Sequence, residues 1–235
     1  MLEPDPTVRV PPAERAPGSF GPDALQILTA EHWSLLAARS LVYTEAMSRA
    51  SMFIAALSGA VVALALVAQA TDFGSGFVAF ALVLLPVVYF LGVVTIARLA
   101  QVNHENRLWV QGMNRIRNAY LQLAPELDRY FVASRYDDEA GVLVTSLGAH
   151  RRLSRLQPFV AVPGVIAVID SVVAGAAAGI AGLGLDLGVA GALTLGGTFF
   201  LISILSFAFW AREQIGRVST GLDPIFPTPP PGPGA

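Results

Sequence analysis

Four apolar runs of about twenty residues each, none of which holds a basic residue, constrain this sequence more than any other feature. A helix needs roughly 20 apolar residues to cross the hydrocarbon core of a bilayer. The runs lie at about 50–70, 76–97, 158–181 and 187–211 of the 235 residues. There is no lysine, so arginine carries the whole positive charge. Arg9, Arg15, Arg39 and Arg49 precede the first run, nine arginines from Arg98 to Arg155 lie between the second and third, and Arg212 and Arg217 follow the fourth. The short turns after the first and third runs hold none. Positive residues are retained on the cytoplasmic side. The pattern therefore predicts an all-α polytopic membrane protein with four transmembrane helices in two hairpins and both termini cytoplasmic.

Composition agrees. The chain is 54% hydrophobic and 14% charged, whereas a soluble domain carries about 25% charged residues. Buried helices of a soluble protein would need a polar shell that is missing here. A net charge of −2 argues against a nucleic-acid binder, which shows a basic face. Without cysteine there are no disulfides, thiolate metal sites or cysteine nucleophiles. The first twenty residues have no apolar core, so no cleaved signal peptide is expected. Absence of Lys with abundant Ala, Gly, Pro and Val fits a high-GC bacterial genome, which makes the cytoplasmic (inner) membrane the expected location. No H-E-x-x-H, G-x-S-x-G or phosphate-cradling glycine loop is present, and His32, His104 and His150 are isolated in sequence. The expectation is a non-enzyme without cofactor or metal, whose partner is the lipid bilayer.

Residues 1–22 and 222–235 are rich in Pro and Gly and are expected to be disordered; Pro227-Thr228-Pro229-Pro230-Pro231 favours polyproline II. Residues 23–134 are read as a cytoplasmic helix, the first hairpin and a second cytoplasmic helix, and 135–221 as a further cytoplasmic helix and the second hairpin. Asp23 to Arg49 holds no Gly or Pro, and Leu25, Leu28, Leu35, Leu36, Val42, Tyr43 and Met47 are spaced for one helical face. Val102, Glu105, Trp109, Gly112, Ile116, Tyr120 and Leu123 form a mostly apolar stripe after the second run, with Pro125 marking an end or a kink. Antiparallel extensions at about 1.5 Å per residue bring Glu45 level with Arg98, Arg39 with Glu105, and Glu31 with Arg115. A helix over 137–157 is expected, capped by Asp137 or Ser134 with acids in its first turn. Asp137-Asp138-Glu139 resembles a divalent-ion patch, but helix N-terminal acids account for it better.

Asp170 is the sharpest candidate, because an ionisable group at mid-span is by default a functional hypothesis. It costs the third run about 2.5 to 3.5 kcal/mol on the insertion scale, so that run is expected to insert with the fourth and to turn Asp170 toward protein. The same depth holds Thr198, Ser203, Ser58 and Tyr89. One reading is an ion or proton site. The favoured one is a protonated Asp170 bonded to Thr198 or Ser203, holding helices together. Gly175, Gly179, Gly182 and Gly196 mark close helix packing, within one chain or between subunits, the former being favoured. Pro86 and Pro163-Gly164 are candidate kinks. Arg151, Arg152 and Arg155 fit anionic lipid headgroups, although setting topology already explains them.

Glu31-His32-Trp33-Ser34-Leu35-Leu36 and Gly112-Met113-Asn114-Arg115-Ile116-Arg117-Asn118-Ala119-Tyr120 resemble segments of uncharacterised integral membrane proteins from actinobacteria. The resemblance covers about residues 22 to 215 and implies no activity or functional residues. In layout alone, the first half is similar to SLATT-type two-span proteins, suspected pore-forming effectors of bacterial defence; the second hairpin departs from that plan. Three functions are carried forward. The first is an oligomeric scaffold or sensor assembling through its cytoplasmic helices, supported by a stripe through Trp109 and Tyr120 too long for one neighbour to cover. The second is a pore or ion-conducting effector using Asp170. The third is a small proton- or ion-coupled carrier.

Overall fold

The computed structural model describes residues 20–147, 162–219 and 223–230. Among these there are helices and no strands: α1 (Ala24–Thr71), α2 (Ser75–Leu123), a 3-10 helix (Pro125–Tyr130), α3 (Glu139–Leu147), α4 (Val162–Gly184) and α5 (Gly188–Ser219). Four of them, α1, α2, α4 and α5, are long and apolar enough to cross a membrane. At about 1.5 Å per residue, the 48 residues of α1 and 49 of α2 each reach about 70 Å. A bilayer core takes about 30 Å of that, so more than half of each helix projects beyond its apolar window.

The long helices form a row. α2 packs on α1 and α4, and α4 packs on α5. α2 also touches α3 and the 3-10 helix, so it is the spine of the molecule. It runs unbroken through Pro86 and ends before Pro125, where the 3-10 helix begins. Between α1, α2 and α4 lies an apolar crevice of about 350 Å³, lined by residues such as Leu57, Leu64, Leu85 and Val173.

The apolar residues of α1 separate onto two faces, not one. Ala46, Phe53 and Ala60 are buried in the main core, with Val42 packed against it, and Leu35 packs on Val110, Met113 and Val142. Positions 28, 35 and 42, and 46, 53 and 60, repeat every seven residues. That is the spacing of a helix winding along one partner. Leu25, Trp33, Leu36 and Tyr43 lie off that face and are exposed.

The two turns joining the paired helices are built alike. The N–H of Phe73 bonds the carbonyl of Ala68, and that of Leu187 bonds Gly182, both at 3.1 Å. Each is the six-to-one bond of a Schellman ending, which needs one left-handed residue. Asp72 (φ 46°) and Asp186 (φ 56°) occupy that conformation in place of glycine, which a short polar side chain tolerates.

α4 and α5 meet through their glycines. A methyl group on Gly175 would stand 2.9 Å from the Gly196 carbonyl oxygen, and one on Gly196 would stand 2.8 Å from that of Gly175. Gly179 lies against Gly196, and Gly182 against Ala192. In lipid, where tails are as apolar as side chains, such close backbone approach supplies the packing that holds helices together.

Candidate functional site

Asp170 lies within α4 and is fully buried. Neither carboxylate oxygen has a hydrogen-bond partner among the described residues. Buried polar groups are almost always paired, and leaving one unpaired costs free energy; among the described residues only Trp109 Nε1 shares this state with the carboxyl. Room for it comes from Gly92 of α2, whose missing side chain leaves the space that the Asp170 carboxyl fills. Had Gly92 a methyl group, the Asp170 carboxyl would have to move out of that space.

The expected partners of Asp170 are elsewhere. Thr198 donates to the Thr194 carbonyl (2.8 Å) and Ser58 to the Ile54 carbonyl (2.8 Å), both on exposed helix faces. Ser203 is buried and meets Ser171 (3.1 Å) and Tyr89 (3.3 Å). The polar cluster of the apolar windows is thus Ser171, Ser203 and Tyr89, joining α4, α5 and α2. The reading of Asp170 as glue bonded to Thr198 or Ser203 is corrected, because Ser171 takes the position at Ser203. No group of three His, Asp or Glu able to hold a metal occurs among the described residues.

A second polar system runs down the projecting part of α1 and α2. Arg98 bonds Glu45 through Nε (3.1 Å) and an outer nitrogen (2.9 Å), and Glu105 through its other nitrogen (3.1 Å). These bonds, with those from Arg49, hold the Glu45 carboxyl down at about 2. Because Arg98 takes Glu105, Arg39 does not pair with it and donates instead to Asn106 Oδ1 (2.9 Å). Glu31 does not meet Arg115 either, since Arg115 turns to Asp137 (2.6 Å). At that level His32 stacks on Tyr120 at 5.8 Å; burial, then the charge of Arg117, lowers its pKa. The α2 stripe thus meets α1 at Tyr120, through His32. Gly112 serves this contact, since Leu35 stands 3.0 Å from where its Cβ would be.

The densest polar site lies at the far end of α2. Asn114 is fully buried; it donates to the Tyr136 carbonyl (2.7 Å) and accepts from Arg117 (2.7 Å) and Thr145 (3.0 Å). Gln111 donates to the Asp137 carbonyl (3.0 Å). These bonds fix the 134–138 loop and the start of α3. Asp138, not Asp137 or Ser134, caps α3 by accepting from the Gly141 N–H (2.9 Å). Gly141 is needed there because the Tyr136 carbonyl fills its side-chain space.

Onto this site returns the chain's own C-terminal segment. Asp137, fully buried, accepts from the backbone N–H of Ile225 (3.0 Å) and Phe226 (2.7 Å), and its own N–H donates to the Phe226 carbonyl (3.1 Å). Asp138 accepts from the N–H (2.9 Å) and hydroxyl (2.8 Å) of Thr228. Arg115 donates to the Asp223 carbonyl (2.7 Å). Residues 223–230 are thereby held in place, which corrects the expectation of a disordered tail over that stretch. Burial pushes the Asp137 carboxyl up, but the Ile225 N–H, Arg115 and the Phe226 N–H outweigh it and leave it below the ordinary carboxylate value. Asp138 is also lowered: burial opposes the shift, and bonds from Gly141 and Thr228 prevail.

Sequence reasoning missed Gly92, Ser171, Gln111 and Asn114. The polar spacing of Gln111, Asn114, Arg115 and Asn118 on one helix face was a signal for the last two. Arg151, Arg152 and Arg155 lie outside the described residues. Comparison with protein families, curated proteins and solved structures finds no match for this chain.

Proposed function

We propose that this chain is a non-enzymatic multipass protein of a bacterial inner membrane, with both termini and the projecting helices in the cytoplasm, and that it self-associates as a scaffold or sensor. The arginine distribution supports the orientation. The observation that carries the self-association is the exposed face of α1. Trp33 is 67%, Tyr43 63% and Leu25 58% exposed on the part of α1 that lies outside lipid in this orientation. Large exposed apolar faces in water mark interaction sites.

The spacing of that face supports a second copy as its partner. Positions 29, 33, 36, 40, 43 and 47 alternate by four and three, the period of a left-handed helix pair. Two copies in one membrane share an orientation, so a two-fold axis must stand along the membrane normal and like residues meet at like depth. Thr29, Trp33, Leu36, Ser40, Tyr43 and Met47 include no charge, so no like-charge repulsion opposes this.

The test uses the absence of cysteine as a clean background. Single cysteines at Leu36 or Tyr43 should cross-link between copies in native membranes, and cysteines at the exposed positions Ser34 and Leu41 should do so far less. Equal cross-linking at all four, or none at 36 and 43, refutes the interface. A second reading, a proton or small-cation site at Asp170, is supported by its two unpaired oxygens. It predicts flux from proteoliposomes that changes in Asp170→Asn, whereas the scaffold reading predicts assembly unaffected by that change.

A further inference from the structure

Prolines decide which amides residues 223–230 can offer. The stretch reads Asp-Pro-Ile-Phe-Pro-Thr-Pro-Pro, and a proline has no N–H. From Pro224 onward only Ile225, Phe226 and Thr228 keep a backbone donor. All three donate to just two carboxylates, Asp137 for the first two and Asp138 for the third. The receptor side is built, not incidental. Asp137 is fully buried and anchored by Arg115 at 2.6 Å, its carbonyl is held by Gln111, and its loop is fixed by the buried Asn114. The two carboxylates thus match the spacing of free amides among prolines. The Phe226 carbonyl, the Asp223 carbonyl and the Thr228 hydroxyl complete the contact.

We infer that the end of α2 with the start of α3 is a peptide-recognition site for an extended, proline-spaced segment, occupied in cis by residues 223–230 of the same chain. Recognition is by backbone amides at set positions, with the Thr228 hydroxyl as the side-chain determinant. Ile225 stays 61% exposed, so its side chain contributes little and its N–H contributes much. The site is independent of the α1 face proposed above for self-association, since it uses α2, α3 and the tail.

The experiment is hydrogen–deuterium exchange on the full-length protein in nanodiscs, with a free synthetic peptide of residues 220–235 as reference. Amides at Ile225, Phe226 and Thr228 should exchange roughly tenfold or more slowly in the protein than in the peptide, as expected for bonds to ionised groups. Phe226→Pro and Thr228→Pro each delete one donor in a segment that lies after the last long helix. Each should restore fast exchange at the remaining two amides. Exchange in the wild type as fast as in the peptide, or protection unchanged in both proline variants, overturns the proposal. Spin labels at positions 225 and 139, placed either together on one chain or singly on two mixed populations, separate the sources. A short distance only when both labels share a chain supports cis occupancy; a short distance only between chains overturns it.

Discussion

Gly92 and Asp170 should behave as one unit, and a double-mutant cycle tests this. Gly92→Ala alone acts in two opposed ways. Replacing glycine by alanine inside a helix gains about 1 kcal/mol of propensity. The new methyl, however, lands on the Asp170 carboxyl, and forcing atoms into a packed interface costs typically about 1–3 kcal/mol. The net should be a loss of up to about 2 kcal/mol. Asp170→Ala removes the obstruction and a buried carboxyl that has no partner. In that background Gly92→Ala should become neutral or stabilising by up to about 1 kcal/mol, so its sign should reverse. The coupling of the pair would then be about 1–3 kcal/mol, in the range for residues in contact. Reversible unfolding in mixed detergent micelles, followed by tryptophan fluorescence, measures all four proteins. An effect of Gly92→Ala that has the same sign and size with and without Asp170 would refute the claim that Gly92 exists to seat this carboxyl.

Other outcomes follow from the polar sites and the glycine seam. The Glu45 carboxyl should titrate near 2, and in Arg98→Gln its midpoint should climb toward the ordinary value, as read by NMR of labelled glutamate. Docking of residues 223–230 should persist at neutral pH and fail on acidification. Asp137 and Asp138 are both held low, so their contribution is present above the ordinary carboxylate value and is lost as pH falls through the lowered one; exchange at Ile225 and Phe226, followed from neutral pH to well below the ordinary carboxylate value, reports this. Thr228→Glu, which sets a carboxylate against Asp138, should speed that exchange about tenfold at neutral pH. Gly196→Leu should separate α4 from α5, since even a methyl there meets the Gly175 carbonyl at 2.8 Å, and cost about 1–3 kcal/mol in the same unfolding assay.

What was legible in the sequence was what depends on composition and period. Four apolar helices follow from run length, and the small residues Gly175, Gly179 and Gly196 announce their own seam. Lateral choices between neighbours were less legible. Depth matching set Arg39 beside Glu105, but depth says nothing about which of two arginines wins a shared acid, and Arg98 does. Apolar spacing on α1 could not show that Leu35 is covered and Leu36 open, since a broad apolar arc holds both a covered and an open face. The docking of residues 223–230 was invisible to composition: Pro-rich segments lack the apolar content to fold alone, and this one is ordered by acceptors almost ninety residues earlier.

The return of the tail has a mechanical consequence. α2 packs on α4, α4 on α5, and the segment after α5 is tied back to the end of α2, so these elements make a closed linkage. Without that tie, a slide or tilt of α5 along the glycine seam would reach α2 only through helix contacts inside the bundle, such as Tyr89 with Ser203. With it, that displacement also arrives as tension on three amide–carboxylate bonds at Asp137 and Asp138. A shift between α4 and α5 would thus also be felt far from the seam, at the end of α2.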